Sequence, residues 1–300
     1  MSILVSGLIN LEITLRIDGF PIEYTPVRYP FFGVNSTVSG VGYNIAKALT
    51  TLGNIVNFLS IIGNDAAASL VREQLTFDHI PAEYVVEDVE QTAHSVILYD
   101  SDGRSMLISK YPGTYPQEQF EQALQSSALA VLCNINFSRP MLSKARQAGK
   151  LIATDVHAIS NLDDDYNRDF MRFADILFVS HERLPCSPEE WVNRVSNRYG
   201  CEIMVVGLGA EGALLFVRSP RFMERFAAAP TRPVVNTVGA GDALFSCFLH
   251  IYNNTKDPFE AIQKAMVFAS YKVGATGAAD GFLDQAQLDR LYAEATRKNL

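Results

Sequence analysis

Thr237-Val238-Gly239-Ala240-Gly241-Asp242, running straight into the apolar Ala243-Leu244-Phe245-Ser246-Cys247-Phe248-Leu249-His250-Ile251-Tyr252, decides the reading of this chain. A segment so nearly free of charge is expected to be a buried helix, and burial fixes the position of its N-terminus. Gly239, Ala240 and Gly241 are small enough for backbone N–H groups to close on an oxyanion, and the helix dipole adds partial positive charge there. Together they make a candidate anion hole for charge that develops during phosphoryl transfer. Asp242, at the mouth of the same helix, is the candidate general base for an attacking hydroxyl. An ordinary glycine-rich turn with an aspartate cap would leave the same tetrad, so other segments must carry weight.

Val38-Ser39-Gly40-Val41-Gly42-Tyr43-Asn44-Ile45-Ala46 opens a second helix, with Ile45, Ala48, Leu49 and Leu52 on its apolar face before Gly53 closes it. Gly40 and Gly42 would let substrate hydroxyls approach the backbone, and the Asn44 amide offers a donor and an acceptor together. Glycine also serves close helix packing, and Asn44 also suits a cap.

Around these segments, short apolar runs alternate with helical periodicity, as α/β architecture requires. Strands are expected at 3–5, 56–62, 129–133, 151–154, 176–179 and 203–206, and helices at 45–52, 66–75, 140–148, 188–199, 243–252 and 258–270. The alternation implies parallel strands joined by helical crossovers and covered on both faces. Two stretches break it. Residues 12–38 are strand-like but punctuated by Gly19, Pro21, Pro26, Pro30 and Gly33, and residues 92–110 suggest a hairpin around Asp100-Ser101-Asp102-Gly103. Both are expected in a small β lid over the main sheet, although edge decoration would read the same.

The two glycine segments, in this order and separation, resemble the paired signatures of the PfkB family of carbohydrate kinases, also called ribokinase-like. Gly7-Leu8-Ile9-Asn10, Gly63-Asn64-Asp65 and Tyr111-Pro112-Gly113-Thr114 extend the resemblance over nearly the whole chain. The resemblance implies one domain over residues 1–300, a three-layer αβα fold with a central mostly parallel sheet, and a small β lid. It implies ATP as donor with Mg²⁺, and transfer to a hydroxyl of a sugar or nucleoside. Asp242 then matches the family's base and the preceding glycines its anion hole. Asn10, Glu12, Gly40, Gly42, Asn44 and Asn136 match substrate positions; Ser180, Gly209, Gly212, Thr237, Gly239 and Gly241 match nucleotide positions. Gly40-Val41-Gly42-x-Asn44-Ile45-Ala46 with Leu52-Gly53-Asn54 and Cys133-Asn134-Ile135 looks like the pseudouridine kinase branch, while ribose and fructose-like sugars stay open. The lid implies a homodimer, as in some relatives.

Gly207-Leu208-Gly209-Ala210-Glu211-Gly212 matches the dinucleotide fingerprint G-x-G-x-x-G, yet Ala213-Leu-Leu-Phe-Val217 after it reads as a strand. A dinucleotide loop must open a helix, so a hairpin turn is expected instead of a nicotinamide site. No G-x-x-x-x-G-K-[ST] loop occurs, which excludes P-loop chemistry.

Several positions depart from the family pattern. Glu12 stands where Asp is usual, Ser39 replaces the first glycine of a pair, and Asn136 lies near a hydroxyl-binding Glu position. Ser180-His181-Glu182-Arg183 falls on the N-x-x-E motif tied to Mg²⁺ and phosphate, with neither expected residue in register. Asn236 replaces an Asp, which argues against a monovalent-cation site there. These departures motivate an alternative: a catalytically weakened sugar- or nucleoside-binding member of the same fold.

The chain has 300 residues, 48% hydrophobic, with a formal charge of -8. That balance offers no basic surface for nucleic acid or an anionic membrane, and no apolar run reaches the roughly 20 residues of a span. With no signal-like start, a cytoplasmic location is expected. Cys133, Cys186, Cys201 and Cys247 lack metal or redox spacing, and Cys133 and Cys247 read as buried thiols. The five histidines form no metal-spaced cluster, so no metal ligand is assigned. His157 falls near a strand end where α/β ligands gather, although a solvated loop histidine is the commoner case. Asp163-Asp164-Asp165 reads as a solvated helix cap.

Overall fold

A computed structural model describes residues 2–29, 31, 33–100, 104–108 and 113–298. The tip of the expected hairpin, 101–103, lies outside these residues, as do Pro30, Tyr111 and Pro112.

The chain opens with β1 (Ser2–Ser6), β2 (Asn10–Arg16), β3 (Val34–Ser39), α1 (Val41–Thr51), β4 (Val56–Ile62) and α2 (Ala66–Phe77). It continues through β5 (Val85–Glu87), β6 (His94–Tyr99), β7 (Arg104–Ile108), α3 (Gln117–Ser126), β8 (Ser127–Leu132) and α4 (Arg139–Gln147). Next come β9 (Leu151–Ala158), α5 (Arg168–Phe173), β10 (Ile176–Ser180), α6 (Pro188–Tyr199) and β11 (Ile203–Gly207). The last elements are β12 (Ala213–Val217), β13 (Phe222–Phe226), α7 (Ala240–Thr255), α8 (Pro258–Lys272) and α9 (Gln285–Lys298).

The large sheet runs β13-β12-β11-β10-β9-β8-β1-β4-β5. Its strands are parallel from β11 to β5; β12 runs antiparallel to them, and β13, antiparallel to β12, runs in their direction again. One face packs on α1, α2, α7, α8 and α9, the other on α3, α4, α5 and α6, so side chains alternate between two apolar clusters. Ile3 and Val5 point to the first cluster and Leu4 to the second, which is the period-2 rule applied to a strand buried on both faces.

From β1 the chain moves outward to β4 and β5, then returns to lay β8 on the other side of β1. The strand order therefore reverses between β1 and β8, and a crevice for ligands is expected at the carboxyl ends there. The smaller sheet, β3-β2-β6-β7, is built from the two stretches that broke the α/β rhythm. Asn10 pairs with Ser39 at its root, so the small sheet joins the crevice where β1 and α1 do.

Candidate active site

The crevice is held tight by two glycines. A Cβ on Gly42 would lie 2.4 Å from the Gly7 carbonyl carbon, and one on Gly7 would lie 2.6 Å from Cys133 Sγ. The start of α1 thus sits directly on the ends of β1 and β8. A Cβ on Gly42 would be directed at Gly7, so close packing requires glycine there. Gly40, at φ 114, brings the chain against the Leu8 carbonyl.

This packing carries Asn44 to the start of α7. Its Nδ2 donates to Asp242 Oδ2 at 2.7 Å, joining the two expected helix mouths in one hydrogen bond. Asp242 is 8% exposed. Burial raises its pKa above the ordinary aspartate value, while the Asn44 hydrogen bond and the His157 and Lys272 charges pull it back and Asp155 adds to the rise. Gly239 caps α7 in the left-handed region, with its Cβ side blocked 2.3 Å from the Ala278 carbonyl oxygen. Gly241 is the opposite: nothing lies within 4 Å of the Cβ it lacks. First-turn amides of a helix have no intrahelical acceptor, and such a start suits an anion.

Two residues at the end of β9 belong to this group although little in their local pattern singles them out. Asp155 is buried and accepts the His157 backbone N–H at 2.7 Å, and His157 Nδ1 lies 3.5 Å from its other oxygen. Burial alone would raise the Asp155 pKa, but the His157 charge and hydrogen bonds hold it below the ordinary value. His157 takes a φ of 56, a left-handed backbone that non-glycine residues rarely adopt. An Asp-x-His at a strand's carboxyl end was the signal available. Cys133 is buried beside Asp242 and Asp155, and desolvation with those two charges drives its thiol pKa far up, so it stays a protonated, inert thiol.

The expected acceptor residues lie on neighbouring elements. Asn10 and Glu12, two apart on β2, are both buried. Asn10 Oδ1 and Asn44 Oδ1 are buried acceptors without a protein donor. Asn136 is exposed in a one-turn helix after β8 and lines a cavity of about 550 Å³ with Leu8, Ile61, Asp88, Phe137 and Tyr166. Asp242 does not line this cavity; Leu8 and Ile135 in its wall directly follow Gly7 and lie two residues past Cys133 at the packed junction.

The expected nucleotide residues lie on two separate stretches, the ends of β10 and β11 and the start of α7. Ser180 ends β10 beside Gly207 of β11, and His181 Nδ1 lies 2.8 Å from the Gly207 carbonyl oxygen. The Ser180 hydroxyl accepts the Glu182 N–H at 3.3 Å, and Glu182 is exposed. The 207–212 segment is the hairpin turn between β11 and β12. Gly209 has room, with only His181 within 4 Å of its missing Cβ, whereas Gly212 is pressed on Phe226 and Ala228. Thr237 is exposed, and its carbonyl accepts the Ala240 N–H at 3.2 Å. Among the described residues no group of three His, Cys, Asp or Glu is arranged to hold a metal ion, and no helix is long and apolar enough to cross a membrane.

The pattern described as pfkB family carbohydrate kinase matches residues 2–285. Fructosamine kinase FrlD of Bacillus subtilis is 22% identical over 245 residues, covering 80% of this chain and 84% of that protein. The microbiome-derived acarbose kinase Mak1 superposes with a TM-score of 0.86 at 27% identity, covering 97% of this chain and 98% of the other. Arabidopsis thaliana ribokinase, solved with ribose and ATP, gives a TM-score of 0.79 at 22% identity over 97% of this chain and 98% of its own. With that pattern running through both glycine segments and Asp242, the chain belongs to the pfkB family of carbohydrate kinases and is a carbohydrate or nucleoside kinase.

Proposed function

We propose that this kinase moves the γ-phosphoryl group of ATP to a hydroxyl of a sugar or nucleoside, with Asp242 as general base. The observation that carries the reading is the Asn44–Asp242 hydrogen bond at the open mouth of α7, beside the unobstructed Gly241. When bound, ATP supplies the phosphoryl group and Mg²⁺ offsets phosphate charge; Mg²⁺ commonly binds through one or two carboxylates plus phosphates, so it needs no cage of protein ligands. Asp242 takes the proton of the acceptor hydroxyl, and Asn44 holds the carboxylate so that one oxygen faces the acceptor. The amides around Gly241 receive charge on the transferring group. Ser180, Gly209 and Thr237 line the nucleotide side.

Asn10 Oδ1 and Asn44 Oδ1 suit acceptor hydroxyls, because each needs a donor that the protein does not supply. Leu8, Ile61, Val89 and Phe137 give the cavity an apolar wall that favours an acceptor with a flat or apolar part, such as a nucleoside, over a bare pentose. Glu12 and Asn136 then set its orientation.

The purified protein should release ADP from Mg-ATP only with some member of a sugar and nucleoside panel. Asp242→Asn should keep ATP affinity and lose about 10²–10⁴-fold in turnover, the usual worth of a positioned base. Full turnover in that variant would remove Asp242 from the mechanism.

A further inference from the structure

Lys272, in the last turn of α8, is the most deeply buried charged side chain among the described residues, at 0% exposure. An ammonium taken out of water costs several kcal/mol unless it is well paired, so its position among partners is demanding. Its Nζ donates to the Val238 carbonyl, immediately before the Gly239 cap of α7. The same junction is tied by Asn236 Nδ2 to the Thr276 carbonyl at 2.6 Å, and by the Val235 and Asn236 N–H groups to the Val273 carbonyl at 2.8 and 3.0 Å. The turn that forms the anion hole is therefore clamped from behind by the end of α8, while Gly241 faces open space in front.

Resting on the kinase reading above, we propose that the Lys272 ammonium is a built-in cation, a positioning residue that fixes the Asn236–Gly239 turn and adds positive potential behind the anion hole. Low local dielectric makes such a charge act further than a surface lysine would. The groups that act on Asp242 are Asn44 from α1, Asp155 and His157 from β9, and Lys272 from α8, with the neutral Cys133 after β8 beside it. Of these, Lys272 is the cation that no solvent reaches.

Lys272→Met removes the charge, and Lys272→Gln keeps a donor without it. Both variants should lose at least about tenfold in kcat, with KM for ATP and acceptor changed by less than about threefold. The acid limb of their kcat/KM profile should move to higher pH, because a cation that favours ionised Asp242 is gone. In Lys272→Gln, whose shorter side chain leaves space, ammonium or potassium ions should restore part of the lost kcat where choline does not. Folded variants with wild-type kcat and pH profile would overturn the proposal. Failure of both to fold in every salt, or activity lost only in step with folded protein and without cation rescue, would make Lys272 a core strut and overturn it too. A wild type that turns over no acceptor would instead remove the kinase reading beneath it.

Discussion

Burial works against the charge on Asp242, and that conflict can be measured. The folded state holds the Asp242 proton more tightly than the unfolded chain does, because desolvation raises the pKa and the Asn44, His157 and Lys272 contributions only partly reverse it. Between the ordinary aspartate pKa near 3.9 and the raised value, folding is weakened as pH rises. Asp242→Asn should therefore melt at a higher temperature than the wild type at pH 7, with the gap closing as pH falls through the raised value. The wild-type kcat/KM should decline on the acid side above the ordinary aspartate range, since only the ionised base accepts a proton. An asparagine variant that melts lower at neutral pH would contradict the first expectation, and a rate that holds down to about pH 4 the second. Asp242 and Asn44 were legible because each closes a glycine-rich segment before an apolar run. His157 was legible only as a histidine near a strand end, and Asp155 and Lys272 were not, since Asp242 and Val238 come from distant parts of the chain and a lone lysine after an apolar stretch reads as a helix end.

Elements with strong local signals were read to the residue: Val56–Ile62 and Pro188–Tyr199 have the limits expected of them. For the second, Ser187 accepts the Glu190 N–H and Gly200 ends the helix in the left-handed region, so both boundaries are local chemistry. α7 instead starts at Ala240, three residues before the apolar run, because the glycine segment itself takes up the first turn. α3 was missed for its polarity: in Gln-Glu-Gln-Phe-Glu-Gln-Ala-Leu-Gln-Ser only Phe120, Ala123 and Leu124 are buried, a stripe too narrow to stand out. α9 is the same case, with Leu288 its one buried hydrophobic residue among those described. The contact between Gly7 and Gly42 shows what sequence pattern leaves undetermined, namely which glycines face a ligand and which face another backbone. Gly42→Ala should lower stability by about 1–3 kcal/mol, the usual cost of overpacking, and shift Asn44 away from Asp242. Thermal unfolding and kcat should fall together in this variant, whereas Asp242→Asn separates them; an alanine variant with unchanged melting would mean that the junction yields at little cost.

Among the described residues no further strand pairs with the edges of the small sheet, β3 and β7, and exposed apolar side chains lie on these strands and on the segment between β2 and β3. Tyr24, Tyr29 and Phe31 are 91, 81 and 89% exposed, and Val34 on β3 and Leu107 on β7 are 55 and 61% exposed. Apolar patches of this kind mark association surfaces, and an unpaired strand edge invites another strand. We propose that two copies cover this surface in each other through the small sheet, in a two-fold arrangement that pairs like with like. Light scattering coupled to size exclusion should then give the mass of two chains, and Leu107→Glu, which puts a charge into the covered patch, should give one. The small sheet also carries Asn10 and Glu12 at its root, so under this proposal the monomeric variant should lose more in KM for the acceptor than in KM for ATP. A wild type that runs as one chain at all concentrations would end the dimer proposal while leaving Asp242 chemistry intact. Equal losses in both KM values would mean that the small sheet's association is uncoupled from the acceptor side.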